Sequence, residues 1–349
     1  MISTPGDAPF PGSVAITGGA GFLGRHLIAL FRARHPTAKV HVADVRGDRP
    51  PDLDAAVAYH GGVDIRNVDS LTTAFQGVAA VVHLAGLVSF WRADRDRLYA
   101  VNRDGTRNVL VACSRAGVKR LVHVSSAAAI GFTNDPDHPV DETLDFDWKR
   151  VAKKDYMCSK HAGELVLADA DRLGVSAVVA NPASMYGPGD VTNTHRLFQA
   201  VQRGVITVVP PGGNAVVDVR DAADGLYRLL CCSARNERFI LVGHNLTFRK
   251  VNAIIAGMLG VPVARRVIPF ALRAPIRAAV RLAEYIPGRP AMIAADDLEA
   301  GFLFRYYSSA KAERQLGWPP RRPFEQTVRD AADFLVTRGL LQPFSTDGR

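Results

Sequence analysis

The chain has 349 residues, of which 48% are hydrophobic and 22% are charged, and its formal net charge at pH 7 is +9. A chain of this size and composition can bury a large core, so we expect a globular protein with one large α/β unit or two domains. Its arginines are spread along the whole chain, and few aromatic residues stand among them. This distribution argues against a nucleic-acid partner.

The beginning of the chain, MISTPGDAPFPGSVAITGG, has no basic segment followed by an apolar one, and we find no uncharged apolar run of about 18 residues. The sequence therefore predicts neither secretion nor a membrane-spanning helix. The cysteines show no C-x-x-C spacing and have no histidine pairs nearby. We therefore expect no metal site, no disulfide framework and a location in the reducing cytoplasm.

Short apolar runs rich in β-branched residues alternate with longer segments whose apolar residues recur at helical spacing. The predicted strands are Val14–Thr17, Val40–Ala43, Ala80–Leu84, Arg120–Ser125 and Ser176–Ala180. The predicted helices are GFLGRHLIALFRARH, SLTTAFQG, LYAVNRDGTRNVLVACSRAG and CSKHAGELVLADADRLG. This alternation predicts an α/β fold with a Rossmann-type, doubly wound parallel sheet.

The first strand runs into TGGAGFLG, with glycines at positions 18, 21 and 24. Glycines at a strand-to-helix turn let the backbone approach a pyrophosphate, and the helix N-terminus supplies N–H donors and a positive dipole. A plain strand-helix corner is the alternative. The context of Gly18, Gly21 and Gly24 favours a dinucleotide site, because Asp44 ends the second strand twenty residues after Gly24.

Asp44 stands where a carboxylate accepts hydrogen bonds from an adenosine ribose and repels a 2′-phosphate. It therefore favours NAD over NADP. Arg46 is the complication, since an arginine just past this strand can neutralise a 2′-phosphate. The alternative for Arg46 is a solvated loop charge.

Tyr156 and Lys160 are four residues apart, on one face of a predicted helix. A free tyrosine has a pKa of about 10, and a nearby ammonium favours its phenolate form. Tyr156 then becomes a general acid and base. A surface pair is the alternative for this common spacing, but Ser125 and Ser126 end a strand about thirty residues earlier, where a hydroxyl can hold a substrate carbonyl.

With these features the sequence resembles the extended short-chain dehydrogenases/reductases, also called the NAD-dependent epimerase/dehydratase group. The resemblance covers about residues 12 to 335. Its motifs appear in order: TGGAGFLG, Asp44, GGVDIRN, VVHLAG, VNRDGTRNVL, HVSSAAAIG, the Tyr156/Lys160 pair, NPASMYGPGD, VVDVRDAADG and SSAKAERQLGW.

The resemblance implies NAD as the cofactor and hydride transfer as the chemistry. Tyr156 would exchange a proton with the substrate oxygen, Ser126 would hydrogen-bond that oxygen, and Lys160 would lower the tyrosine pKa and hold the nicotinamide ribose; Ser125 is the alternative to Ser126. The implied cofactor-binding residues are Gly18, Gly21, Phe22, Leu23, Gly24, Asp44, Asp64, Ile65, Leu84, Ala85, Gly86, Ser125, Tyr156, Lys160, Pro182 and Ser184.

The family does not fix the substrate. Nucleotide-sugar members usually carry an arginine before the last aspartate motif, whereas this chain has no basic residue from Pro210 until Arg220, and it has Asn181 where many of them have arginine. These departures favour the 3β-hydroxysteroid dehydrogenase, dihydroflavonol reductase and hopanoid-associated branches. We expect interconversion of a secondary alcohol and a ketone on an apolar substrate, in either direction, with or without loss of a neighbouring carboxylate as CO₂. An NDP-sugar epimerase/dehydratase and an NAD-sensing binding protein are the alternatives.

We expect residues 1–185 to form the NAD-binding core, with a strand at 238–243 returning to it, and residues 186–216 and 245–349 to form the substrate region. A homodimer is also expected. Residues 275–286 predict a helix, and Arg273, Arg277 and Arg281 lie along one edge of this segment. That edge suggests weak peripheral contact with an anionic membrane at its inner face. A core-packed helix with a solvated arginine edge is the alternative.

Overall fold

The structure is a computed structural model and describes residues 10–149, 151, 154–283, 299–319 and 322–344. Its strands are β1 Ser13–Thr17, β2 Lys39–Asp44, β3 Ala58–Gly61, β4 Ala80–His83, β5 Arg120–Val124, β6 Ser176–Pro182, β7 Ser184–Tyr186, β8 Val208–Val209, β9 Gly213–Asp218, β10 Arg238–Leu241, β11 His244–Thr247, β12 Arg266–Val267 and β13 Phe304–Arg305.

Helices pack on both faces of the main sheet and also behind a smaller one. The helices of the described ranges are α1 Phe22–Arg34, α2 Val68–Ala74, α3 Arg95–Tyr99, α4 Gly105–Ala116, α5 Asp155–Val166, α6 Asn193–Gln202, α7 Val219–Cys231, α8 Phe248–Leu259, α9 Arg273–Ala283, α10 Ala310–Leu316 and α11 Phe324–Thr337. A π-helical turn at Ala100–Asp104 joins α3 to α4.

The main sheet has seven strands in the order β10-β6-β5-β4-β1-β2-β3, all parallel. The predicted doubly wound sheet is therefore confirmed. Along β1, Val14 and Ile16 pack with α1 and α7, whereas Ala15 packs with α2 and α4 on the other face. Burial on both faces explains why these strands are almost continuously apolar.

The chain reverses its direction of winding between β1 and β4, which are neighbours in the sheet. Ligands of open parallel sheets bind at such a switch point, outside the carboxyl ends of the strands. The carboxyl ends of β1, β2, β4, β5 and β6 therefore define the edge at which a site is expected.

A smaller sheet, in the order β11-β9-β13 with β7 beside β9, lies next to this edge. Helices α6, α8 and α11 share a separate apolar core behind it. The smaller sheet draws its strands from residues 184–305, so distant parts of the chain meet there. The division into a cofactor unit and a substrate unit stays a prediction.

Two predicted helices differ from the structure. The segment predicted as one helix from Cys158 to Gly174 forms α5 only as far as Val166 and then continues as two 3₁₀ turns. The left-handed Gly174, at φ 72°, ends this tightened segment. The physical reason is that residues 166, 167 and 170 bury equally well in an α-helix or in 3₁₀ turns, so the apolar pattern cannot separate them.

Helix α9 begins at Arg273 and is described as far as Ala283, so the predicted end at 286 lies outside the described residues. The guanidinium groups of Arg273 and Arg277 form ion pairs with the Glu299 carboxylate, at N–O distances of 2.8 and 3.3 Å. These two arginines are therefore paired, whereas the sequence suggested that they lie unpaired along one edge of the helix. The side chain of Arg281 lies outside the described residues. None of the helices in the described ranges combines the length and the apolar composition needed to cross a bilayer.

Candidate active site

The glycine-rich loop between β1 and α1 is closed tightly on itself. Gly18 has φ +67°, and a Cβ there would lie 3.0 Å from the backbone of Ala85. A Cβ on Gly24 would lie 2.4 Å from the Gly19 carbonyl oxygen. Only glycine fits both positions, and the loop backbone is thereby left open to a ligand. The loop therefore has the geometry of a pyrophosphate cradle.

A cavity of about 180 Å³ lies over this loop and the first turn of α1. Helix α1 has no side-chain cap and no acidic residue in its first turn, so its N–H groups and positive dipole are available to an anion. Most of the predicted cofactor residues line this cavity: Gly18, Gly21, Phe22, Leu23, Gly24, Leu84, Gly86, Ser125, Tyr156, Lys160 and Pro182. These residues fit a dinucleotide.

The remaining predicted residues, Asp44, Asp64, Ile65, Ala85 and Ser184, do not line that cavity. Asp44 is 7% exposed, and its carboxylate accepts hydrogen bonds from the Ala20 and Arg46 backbone N–H groups. The Arg46 guanidinium reaches the Ala20 carbonyl at 3.5 Å, so it lies near the same loop. Asp64 is paired with Arg66, which lowers the pKa of its carboxyl, and Ile65 is buried against Gly105.

Ala85 and Ser184 complete the predicted set. The Ala85 N–H donates to the Thr17 hydroxyl at 3.3 Å, which holds the end of β4 beside the glycine loop. Ser184 accepts a hydrogen bond from Asn214 at 2.7 Å and lines a second, larger cavity rather than the one over the loop. Ser184 therefore lies on the side of the site that faces the smaller sheet.

Tyr156, Lys160 and Ser126 meet at the carboxyl end of β5. Helix α5 begins at Asp155, so Tyr156 is in its first turn and Lys160 one turn later. Ser126 follows β5 and caps a short 3₁₀ turn through the Ala128 N–H. The Ser126 side chain hydrogen-bonds Tyr156. The structure thus brings together the three predicted catalytic residues.

The electrostatics of this trio differ from the sequence-based expectation. Burial raises the pKa of Tyr156, and the hydrogen bond with Ser126 is what opposes that rise. Lys160 was expected to lower the tyrosine pKa, but its ammonium instead donates to the Val124 carbonyl at 2.9 Å. Burial lowers the pKa of Lys160 to about 8, with the Glu164 carboxylate acting in the opposite direction.

Glu164 and Asn181 lie beneath the catalytic residues, and the sequence analysis did not identify them as site residues. The Asn181 amide donates to Glu164 at 2.6 Å and to the Ser126 carbonyl at 2.9 Å. Arg238 lies 3.8 Å from the Glu164 carboxylate. Burial raises the pKa of Glu164, and the hydrogen bond from the Asn181 amide opposes that rise. Its position four residues after Lys160 was the available signal.

Asn102 is a second residue that the sequence analysis missed. It is 2% exposed, and its amide exchanges two hydrogen bonds with the Leu87 backbone, at 2.8 and 2.9 Å. It also donates to Ser159 on α5 at 3.0 Å. Asn102 therefore fixes the loop after β4 against the helix that carries Tyr156.

The second cavity, of about 370 Å³, is also lined by Tyr156 and is bounded by the smaller sheet. The Phe90 ring packs edge-on against Tyr156, with ring centroids 5.5 Å apart. The lining is mainly apolar and includes Val88, Phe90, Ala127, Ala128, Met157, Pro182, Ala183, Met185, Tyr186, Ala300 and Tyr307. Ser126 and Tyr156 line the same cavity, together with polar and charged residues that include Lys154, Asp155 and Arg305.

A parallel sheet with a phosphate cradle at its switch point and a Ser/Tyr/Lys set beside it defines a nucleotide-dependent oxidoreductase. Residues 14–242 match the NAD-dependent epimerase/dehydratase family. This match spans more than half of the chain, and the chain belongs to that family. It is accordingly an NAD(P)-dependent enzyme acting on CH–OH groups.

Curated relatives align over nearly the full length of the chain. A putative dihydroflavonol 4-reductase of Synechocystis is 29% identical over 336 residues, covering 94% of this chain and 95% of that protein. The decarboxylating sterol-4-alpha-carboxylate 3-dehydrogenase of Saccharomyces cerevisiae is 29% identical, covering 90% and 95% of the two chains. The UDP-glucose 4-epimerase of Thermus thermophilus, in complex with NAD, superposes with a TM-score of 0.72 at 24% identity, covering 93% and 99%.

The geometry around Lys160 yields a prediction about its protonation. Because the Glu164 carboxylate raises the lysine pKa, Glu164→Gln should move the Lys160 titration below its present value of about 8. A smaller fraction of Lys160 would then be protonated above neutral pH, so kcat/KM should fall most at pH values above 7. NMR titration of isotope-labelled lysine Cε atoms measures the shift directly.

Glu142→Gln is the matched control for Glu164→Gln. Glu142 is also a carboxyl with a pKa raised by burial, but its carboxylate bonds the Ile240 N–H on β10 rather than facing Lys160. The Glu142→Gln change should therefore leave the pKa of Lys160 unchanged. An unchanged Lys160 titration in Glu164→Gln would contradict the role given to Glu164.

Proposed function

We propose that this protein is an NAD-dependent dehydrogenase that interconverts a secondary alcohol and a ketone on an apolar, polycyclic substrate, in the manner of 3β-hydroxysteroid dehydrogenases. The observation that carries the proposal is the cavity lined by Ser126 and Tyr156, whose wall is more apolar than polar. Pockets of this kind bury most of an apolar ligand and use a few polar groups to orient it.

An NDP-sugar epimerase/dehydratase is the alternative, and two features weigh against it. Strand β9 borders the cavity without a basic side chain of its own, and the arginine beside it in the smaller sheet, Arg305, comes from β13. Asn181 occupies the position of an arginine in many sugar enzymes, and its amide is already committed to Glu164 and Ser126.

In the proposed reaction the phenolate of Tyr156 removes the hydroxyl proton of the substrate. Ser126 donates a hydrogen bond to the same oxygen and keeps it beside Tyr156. NAD, held by the glycine loop and by the ammonium of Lys160, would supply the acceptor for the hydride of the carbinol carbon. The Phe90 ring packs edge-on against the Tyr156 ring beside the reacting oxygen.

We further propose that a carboxylate on the carbon next to the alcohol is lost after oxidation. The new ketone makes the substrate a β-keto acid. When its C–C bond breaks, the electron pair moves onto the ketone oxygen as an enolate and CO₂ leaves. Protonation of the enolate carbon then completes the replacement of the carboxylate by a hydrogen atom. Support comes from the resemblance to the decarboxylating sterol dehydrogenase of Saccharomyces cerevisiae.

The first prediction concerns the phenol. Tyr156→Phe should lower turnover of a 3β-hydroxysteroid by about 10²–10⁴-fold, because the proton transfer acts mainly in the transition state. The dissociation constant for NAD should change little. NADH formation is followed with hydroxysteroids and with UDP-glucose as parallel substrates. Near-normal turnover in the variant, or oxidation of the nucleotide sugar alone, would overturn the proposal.

We propose NAD rather than NADP as the cofactor, on the strength of the buried Asp44 carboxylate at the end of β2. Asp44→Ala should weaken NAD binding roughly tenfold or more, the scale of a hydrogen bond to a charged group, and should narrow the preference over NADP. Titration calorimetry with both cofactors measures this. Asp48→Ala, an exposed change on the same loop, is the control. If the unmodified protein binds NADP more tightly than NAD, the positive charge of Arg46 outweighs the carboxylate of Asp44 in selecting the cofactor.

We also propose a weak peripheral contact with a membrane, now through apolar side chains rather than arginines. Phe270, Leu272 and Leu282 are 55%, 45% and 72% exposed, whereas Arg273 and Arg277 turn toward Glu299. A bilayer surface suits an enzyme whose substrate partitions into lipid. Cytoplasmic location and homodimer formation stay predictions.

A flotation assay tests the membrane contact. The protein should rise with anionic liposomes, and Phe270→Glu combined with Leu272→Glu should return most of it to the soluble fraction. Leu165→Glu changes an equally exposed leucine on α5 and should have no effect. A protein that stays wholly soluble at low salt would contradict the contact.

A further inference from the structure

Arg305 brings a positive charge to the wall of the apolar cavity. It ends the short strand β13, which pairs with β9 so that Arg305 stands opposite Asn214. Neighbouring hydrogen bonds hold this strand: the Phe304 N–H donates to Asn134 at 2.8 Å, and the Tyr307 hydroxyl donates to the Gly131 carbonyl at 2.9 Å. The guanidinium is therefore attached to a fixed part of the site.

The other charged residues of this cavity have partners of opposite charge. Lys154 lies 3.8 Å from Glu299, and Asp155 lies 3.7 Å from Arg95. Arg305 differs from both. Its Nε is buried with no hydrogen-bond partner, and no carboxylate within the described parts of the chain forms an ion pair with it.

A half-buried guanidinium whose Nε has no acceptor among the described residues is unfavourable in the free protein, because the lost hydration of that nitrogen is not replaced. Its planar donors match the oxygens of a carboxylate or a phosphate. A residue kept in this state inside a cavity that also holds Ser126 and Tyr156 has the chemistry of a ligand-binding group.

We propose that Arg305 binds an anionic group of the substrate and thereby selects apolar alcohols that carry such a group. The inference rests on the proposed function. The same chemistry could be supplied by a carboxylate on an apolar polycycle or by the diphosphate of a nucleotide sugar. The apolar lining of the cavity favours the carboxylate.

The test uses the full-length protein with NAD and three substrates: a 4-carboxysterol, its methyl ester, and UDP-glucose. The ester keeps the shape of the acid and removes its charge. Arg305→Ala should raise KM for the acid at least about tenfold, the scale of a lost charge-assisted hydrogen bond, and leave KM for the ester and kcat nearly unchanged. Arg305→Lys should recover part of the affinity for the acid.

Two controls keep a structural role separate from binding. Arg266→Ala removes an exposed arginine from another two-residue strand and should change neither KM. Calorimetric titration of the acid and the ester into each variant with NADH present measures binding without turnover, and the melting temperature reports folding.

Equal losses for acid and ester, or no loss for either, would overturn the role of Arg305 while leaving the dehydrogenase proposal intact. A selective loss for the acid supports both proposals. If only UDP-glucose is turned over and Arg305→Ala raises its KM, the anion site is supported with a diphosphate as its ligand, and the proposed apolar substrate is wrong.

Discussion

The site depends on keeping the ammonium of Lys160 charged while it is only 6% exposed. Burial lowers its pKa to about 8, so the ammonium form is favoured only about tenfold at pH 7. The Val124 carbonyl accepts its hydrogen bond, and the Glu164 carboxylate, one turn along α5, supplies the opposing charge. Because Asn181 joins Glu164 to the Ser126 backbone, the group that supports the lysine also positions the serine.

The fold explains why these groups can meet. Val124 and Ser126 follow β5, Asn181 belongs to β6, and both strands end at the edge where the sheet reverses its winding. Helix α5 crosses that edge with Tyr156 and Lys160 on its inner side. Tyr156 lines both the cavity over the glycine loop and the cavity beside the smaller sheet.

Much of this arrangement could be predicted from local sequence, and the rest depends on distant contacts. The glycines and the Tyr156/Lys160 spacing are local signals, because their geometry is set within one turn. Arg305 gave no such signal, since its place comes from pairing with Asn214, which is remote in the chain. Periodicity also predicted that α9 has two faces but could not say which one lies inward; the ion pairs with Glu299 show that Arg273 and Arg277 lie toward that residue.

The central claim is that the hydride leaves the substrate for good, whereas an epimerase or dehydratase returns it. The most direct measurement starts from a 3β-hydroxysteroid deuterated at the carbinol carbon and follows the label with NAD as the only oxidant. The account predicts one deuterium in the recovered NADH for each ketone formed. Deuterium found in the product, with the cofactor back in its oxidised form, would contradict it.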